Sequence, residues 1–204
     1  YRAIAVLLAF YAVTGPDSLV AQSAYIATAA PKSTLLFDTD ETLEIRLSYS
    51  KKELLGKSND STYINCRLSY LAGGQWKEME AEIRVRGGFR RTNCFFTPLK
   101  LKVPMETAAG TVFELDRKTK LVLPCLKSTK AEDDLLKEYM AYRIYEVLSP
   151  YHFKTRLLEI ELELIQKKNT EGHHLSGFLI QDESVTLFPI EKFHLADPGK
   201  VRLI

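Results

Sequence analysis

This chain has little net charge, few histidines and cysteines, and no long apolar segment. Its 204 residues carry a formal net charge of +2, which is too small for a general nucleic-acid-binding surface. The 4 histidines lack the spacing of a metal site, because the adjacent His173 and His174 would face opposite sides of a strand. The 3 cysteines fit no zinc motif. We therefore expect neither a nucleic-acid partner nor a metal centre built on these residues.

The N-terminal residues resemble an export signal. Arg2 precedes the apolar run Ala3–Val13, and small residues at 21–24 offer a cleavage site. This run of eleven residues is shorter than the roughly 20 that a membrane-spanning helix needs, so we expect no stable membrane span. A short membrane anchor is the alternative. The pattern predicts a signal peptide at 1–23, a linker at 24–33, and export to the periplasm, cell surface or extracellular space.

Much of the remaining chain alternates apolar and polar residues with a period of two, as in strands with one buried face. The predicted strands are Leu43–Leu47, Tyr63–Leu71, Trp76–Arg86, Leu158–Leu164 and Leu175–Gln181. Gly73-Gly74 predicts a hairpin between the second and third strands. A further hairpin is predicted over Gly110–Cys125, turning near Asp116-Arg117. The sequence thus favours a mostly antiparallel sheet.

One long helix is predicted, capped by Thr129 and stopped by Pro150. Its expected buried stripe consists of Leu136, Met140, Ile144 and Val147. Because 46% of the chain is apolar, it can form one domain with a hydrophobic core. These elements predict an α+β fold, in which one main helix packs on a face of the sheet.

A basic glycine turn follows the third strand. Four arginines lie between Arg84 and Arg91 around Gly87-Gly88, and their guanidinium groups can surround an anion. The next strand, Pro98–Val103, places Lys100 and Lys102 on one face because its apolar residues alternate with them. The turn and the strand together predict a basic surface.

Five segments in order resemble the spore coat protein H (CotH) kinase-like family. They are Arg86-Gly87 with Arg90, the strand Pro98–Val103, the strand Lys120–Leu123, the helix 135–148, and Ser176–Glu183. The resemblance covers roughly Phe37 to Glu183 and implies the N-terminal lobe of an atypical protein kinase over residues 34–183. It also implies that the catalytic and metal-binding aspartates belong to a second lobe. We expect 184–204 to be a truncated or divergent segment, and we assign no catalytic residue.

The resemblance implies roles for particular side chains. Lys100 or Lys102 would contact the phosphates of ATP, and Glu138 would orient that lysine through an ion pair. The arginines of the glycine turn would cover the phosphates, and the strand end at Gln181 would offer backbone groups to adenine. The implied nucleotide-binding residues are Arg86, Arg90, Lys100, Lys102, Glu138 and Gln181, with ATP and Mg²⁺ as cofactors. Alternatively, these residues form the solvated face of an amphipathic sheet.

The cysteines suggest one disulfide in an exported chain. Cys94 and Cys125 each flank a strand of the lysine-bearing region, so they are the expected pair. Cys66 would then remain on the apolar face of its strand. Three reduced, buried cysteines are the alternative.

Two functions follow from the sequence. The first is the nucleotide-binding part of an exported CotH-like kinase, which transfers phosphate from ATP to serine or threonine of surface proteins. The second is a secreted β-rich binding or structural module, whose basic turn contacts an anionic envelope partner such as a glycan. An exported protein substrate is the partner in the first case.

Overall fold

The computed structural model describes residues 36–59, 61–166 and 169–184. The predicted signal peptide at 1–23 and linker at 24–33 lie outside these residues, as does the predicted C-terminal segment after Ser184. In the part of the chain that is described, no helix is both long and apolar enough to cross a membrane.

The described residues form seven strands and four helices. The strands are β1 (Leu43–Ser50), β2 (Ile64–Ala72), β3 (Gln75–Val85), β4 (Leu99–Lys102), β5 (Lys118–Val122), β6 (Thr155–Ile165) and β7 (Thr170–Gln181). The helices are α1 (Lys51–Lys57), α2 (Phe89–Asn93), α3 (Met105–Ala108) and α4 (Thr129–Leu148).

The strands close into a barrel in the order β1-β2-β3-β4-β5-β7-β6. Six of the neighbouring pairs are antiparallel, and β1 with β6 is the parallel pair. This parallel ladder runs from Leu43 opposite Leu158 to Ser50 opposite Ile165. It removes the two free edges that an open sheet would have.

The predicted α+β fold, with its resemblance to a kinase N-terminal lobe, is therefore wrong. Alternation identifies the buried face within each strand, but it carries no information about which strands pair over a long sequence separation. The parallel pairing of β1 with β6 joins segments more than a hundred residues apart, and it makes a mixed, closed barrel. The long helix α4 packs against the wall of this barrel.

Alternate strand residues fill the barrel interior. Leu47, Leu68, Ile83 and Leu121 are almost completely buried, and the polar residues between them face outward. Removing such side chains from water is worth about 1.5–3 kcal/mol each, which makes this interior the main source of stability. The free thiol of Cys66 also lies here, on the apolar face where it was expected.

The predicted hairpin at Gly73-Gly74 is confirmed. Both glycines have positive φ, 59° and 75°, as a type I′ turn requires. In contrast, the hairpin predicted over Gly110–Cys125 is wrong. β5 pairs with the preceding strand β4, and the connection contains α3 and a turn whose Phe113 side chain is buried in the core. An aromatic residue in an otherwise polar stretch is the sequence feature that indicates this buried turn.

The helix α4 docks with a different face from the one predicted. Leu135 is buried, and Tyr139 and Tyr142 pack on Phe178 with ring centroids 5.6 and 5.9 Å apart. The predicted stripe residues Met140, Ile144 and Val147 are instead 58%, 56% and 86% exposed, while Leu136 is partly buried. The N-cap is Ser128, one residue before the predicted cap. The helix still ends before Pro150, with Ser149 as its C-cap.

The predicted disulfide between Cys94 and Cys125 is confirmed. Their Cα atoms are 4.6 Å apart, inside the usual range of 4.4–6.8 Å. The bond connects the end of α2 to the segment that leads into α4. It therefore ties together two elements that carry predicted site residues.

Candidate functional site

Three cations lie side by side on the outer surface of the barrel. Arg84 on β3 is opposite Lys100 on β4, which in turn is opposite Lys120 on β5. We call these three residues the basic row. Like charges directly opposite each other on a sheet are destabilising, so the row needs counter-charges.

The end of β7 supplies two of them. Lys100 Nζ lies 2.6 Å from Asp182 Oδ2, and Lys120 pairs with Glu183. Burial alone would raise the pKa of Asp182, but hydrogen bonds from Lys100 and Ser184 outweigh it and hold this pKa below its usual value. The hydrogen bond from Lys120 likewise lowers the pKa of Glu183. Both carboxylates are thus ionised at neutral pH.

The predicted ion pair between Glu138 and a lysine is wrong. Glu138 instead accepts a hydrogen bond from Arg90 at 3.0 Å, so that α4 is joined to α2. The other candidate, Lys102, pairs with Glu82, which is directly opposite on β3. Lys100 and Lys102 instead pair with carboxylates of the barrel, those of Asp182 and Glu82. The sequence of the helix does not indicate these competing partners.

Arg90 and Glu138 also line an open cleft of about 350 Å³ between α2 and α4. Lys130 and Asp134 from the first turns of α4 lie along the same cleft, as does the disulfide residue Cys125. The cleft therefore has charged walls of both signs, and the disulfide holds one side of it.

Arg86 lies close to the Arg90–Glu138 pair and to Glu183 at the end of β7. Its guanidinium is mostly buried, the carboxylates of Glu138 and Glu183 are close enough to favour its charge, and Tyr142 lies close by. Burial lowers the pKa of Arg86, yet a guanidinium remains charged at neutral pH. Its Nε atom is buried and has no hydrogen-bond partner among the described residues. A buried donor of this kind is expensive unless something accepts from it.

The Gln181 side chain contacts a different residue, although the next residue, Asp182, contacts Lys100. The side chain of Gln181 is buried, and its amide contacts Asp116 at 3.5 Å. Its backbone N–H donates to Lys154 O at 3.0 Å, so this N–H is already used. The predicted adenine contact through Gln181 therefore lacks its donor in this structure.

Several members of the site were missed from sequence. The resemblance gives Asp182 and Glu183, with Gln181, only backbone groups that could contact adenine, and it gives Tyr142 and Lys120 no role in the site. Lys118 and Lys120 alternate with Thr119 and Leu121, which is a weaker form of the pattern around Lys100 and Lys102. The carboxylates carried no such signal, because their role depends on β7 ending beside β5.

The resemblance assigns the magnesium-binding aspartates to a second lobe and not to the residues described. Among them, no group of three or more histidine, cysteine, aspartate or glutamate side chains is placed to hold a metal ion. Carboxylates are the usual protein ligands of Mg²⁺, and here those of Asp182 and Glu183 are engaged by lysines. ATP and Mg²⁺ remain predictions.

No protein-family model matches this sequence, and no curated protein or solved structure is significantly similar to it. The resemblance to the CotH kinase-like family therefore stays a prediction that rests on the five segments alone.

Proposed function

We propose that this chain is an exported binding module, which uses the basic surface around Arg86 to hold an anionic partner such as a glycan or another envelope polymer. The single observation that carries the proposal is the buried Nε atom of Arg86, which has no hydrogen-bond acceptor among the described residues. An anionic oxygen would supply the acceptor and would gain a charge-assisted hydrogen bond.

The charges around Arg86 also favour an anion. Arg84 makes no ion pair with a described residue. Arg90 pairs with Glu138, and the same carboxylate also favours the charge of Arg86. Together with the two lysines of the basic row, five cations face three carboxylates in this area: Arg84, Arg86, Arg90, Lys100 and Lys120 against Glu138, Asp182 and Glu183. The local excess is positive although the chain as a whole is nearly neutral.

The disulfide supports an exported location. Disulfides persist in oxidising compartments and are rare in the cytosol. The Cys94–Cys125 bond also fixes α2, in which no residue is buried, so that Arg90 stays close to α4. In this proposal the oxidised form is the binding-competent form.

Calorimetric titration of the oxidised chain with inorganic pyrophosphate and with polygalacturonate tests the proposal. We expect saturable binding of at least one of these anions, weakening as the salt concentration rises because the contacts are ionic. A neutral polymer such as dextran is the control and should not bind. Equal heats for dextran and the anions, or no saturable binding of either anion, would overturn the proposal.

A second candidate is phosphate binding for nucleotide-dependent phosphotransfer. One observation favours it: Arg86, Arg90 and Glu138, three of the predicted nucleotide-binding residues, lie close together. We propose that in this case the chain alone transfers no phosphate, because the described residues include no magnesium-holding carboxylate group. Tighter binding of ATP than of pyrophosphate would favour this candidate over the first. Magnesium-dependent phosphorylation that Lys100→Ala abolishes would contradict the expected lack of activity.

A further inference from the structure

The barrel wall opens between β1 and β2. Their ladder extends from Ile45 opposite Tyr70 to Ser48 opposite Arg67 and then stops. Beyond this point β1 continues along β6 as far as Ser50, and the first residues of β2 continue along β3. The two strands therefore diverge while each remains paired on its other side.

A crevice of about 850 Å³ occupies this opening. It reaches three residues of the barrel interior, Tyr49, Cys66 and Met79, which are 3%, 7% and 8% exposed. The volume lies within the range of small-molecule sites, roughly 300–1,000 Å³. None of the cations of the basic row lines the crevice, so it is a separate site.

The floor of the crevice contains a polar group without a partner. The Tyr49 hydroxyl makes no hydrogen bond with any described residue, whereas a buried tyrosine hydroxyl usually has one. Burial raises the pKa of Tyr49 and raises the pKa of the neighbouring Cys66 thiol to about 12. Both groups are thus protonated at neutral pH, and the tyrosine can donate to a ligand oxygen.

The rim of the crevice is acidic. Glu53, Glu78 and Glu80 line it together with a single cation, Arg67. Arg67 pairs with Glu78 at 3.0 Å, and Glu53 pairs with Lys57. Glu80 makes no ion pair with any residue in the described ranges, so its carboxylate is available to a positive group.

We propose that the crevice binds a small organic cation that has an apolar body and a hydroxyl group. The ammonium would pair with Glu80 at the rim, and the apolar body would contact Met79 and Cys66. The ligand hydroxyl would accept a hydrogen bond from Tyr49. Each part of this ligand would contact one unpaired or apolar group of the crevice. The proposal does not depend on the proposed anion site.

Tyramine is a suitable probe, because it carries an ammonium, a phenyl ring and a hydroxyl group. In an NMR titration of the ¹⁵N-labelled 204-residue chain, we expect saturable shifts at the amides of Tyr49, Cys66 and Met79. Glu80→Gln should weaken binding about threefold, as loss of a partly exposed ion pair does. Tyr49→Phe should weaken it by about fivefold through loss of one hydrogen bond.

Matched controls make the outcome decisive. Glu44→Gln removes the same charge from an exposed position on β1 outside the crevice and should leave the affinity unchanged. The anion 4-hydroxyphenylacetate has a similar body and should bind more weakly than tyramine. The proposal is overturned if no amide of the crevice shifts saturably, if the anion binds as well as tyramine, or if Glu80→Gln behaves like Glu44→Gln.

Discussion

Lys100 Nζ and Asp182 Oδ2 are 2.6 Å apart, although β5 lies between the strand β4 and the end of β7. The Asp182 side chain is only 5% exposed and that of Lys100 is 19% exposed, so water screens this pair weakly. The contact holds the chain segment after β7 against the basic row. Lys100, which was expected to contact phosphate, therefore has a carboxylate partner within the protein.

Asp182→Asn should lower the free energy of unfolding by about 2 kcal/mol at neutral pH, because it leaves Lys100 partly buried without its counter-charge. The pKa of Asp182 is lowered in the folded state. Its ionised form therefore stabilises the fold above the pKa of the unfolded state, and this contribution is lost as pH falls through the folded pKa. Urea unfolding at neutral and acidic pH should show the two proteins converging in acid.

Glu82→Gln is the matched control for Asp182→Asn. It breaks the Glu82–Lys102 pair, in which both side chains are more exposed than in the Lys100–Asp182 pair. The free energy of unfolding should fall by about 0.5 kcal/mol. Equal stability of Asp182→Asn and wild type at neutral pH would contradict a stabilising role of the Lys100–Asp182 pair.

Replacing both Cys94 and Cys125 by serine should reduce the free energy of unfolding by about 3–4 kcal/mol. The bond closes a loop with a sequence separation of 31, and the chain-entropy estimate for such a loop has this size. Thermal unfolding with and without a dithiol reductant measures the effect. The reductant should lower the Tm of wild type and of Cys66→Ala but not of the double variant. A reductant effect that persists without Cys94 and Cys125 would be inconsistent with this bond.

Leu135→Ala should destabilise the protein by about 2–3 kcal/mol, because this side chain is buried beneath α4. Val147→Ala on the same helix should change the stability by less than about 0.5 kcal/mol, since Val147 is 86% exposed. Chemical denaturation of the two variants compares the observed docking face with the one expected from sequence. A larger effect at Val147 would favour the face expected from sequence.

Gly177→Ala should destabilise the barrel by about 1–3 kcal/mol. An added Cβ would lie 2.6 Å from Ile160 Cδ1 and 2.9 Å from the backbone oxygen of Val122, so the wall would have to shift. Gly172→Ala on the same strand meets nothing within 4 Å and serves as the control. Both variants can be compared by urea unfolding, and equal stabilities would show that the wall has more room at Gly177 than the structure gives it.

The individual strands could be predicted because their information is local. The alternation around Ile45, Leu68 and Ile160 identifies the buried face, and two consecutive glycines identify the hairpin turn. Closure of the barrel could not be predicted this way. It depends on β1 meeting β6, a contact that no pattern within either strand specifies.

The helix shows a different limit. Two apolar stripes run along α4, one with Leu135 and Tyr139 and the other with Met140 and Ile144. The docking face is decided by the barrel surface at Phe178, because Tyr139 and Tyr142 pack on this ring. The sequence pattern identified the helix, but the docking face required the tertiary structure.

The basic surface was predictable and its pairing was not. Alternation predicts Lys100 on the outer face, where Arg84 lies directly opposite it. The identity of each partner depends on distances between elements: Arg90, and no lysine, reaches Glu138, and Asp182 reaches Lys100. Local spacing can identify charged faces, but it cannot assign ion pairs across a barrel.

The most direct test of the proposed function compares pyrophosphate binding by wild type, Arg86→Gln and Arg67→Gln. Arg67 is exposed on β2 and pairs with Glu78, so its variant loses the same charge away from Arg86. Isothermal titration calorimetry should show about a tenfold weaker Kd for Arg86→Gln, the loss of one charge-assisted hydrogen bond, and a change within about twofold for Arg67→Gln. Equal weakening by both variants, or none by Arg86→Gln, would contradict the central role of Arg86.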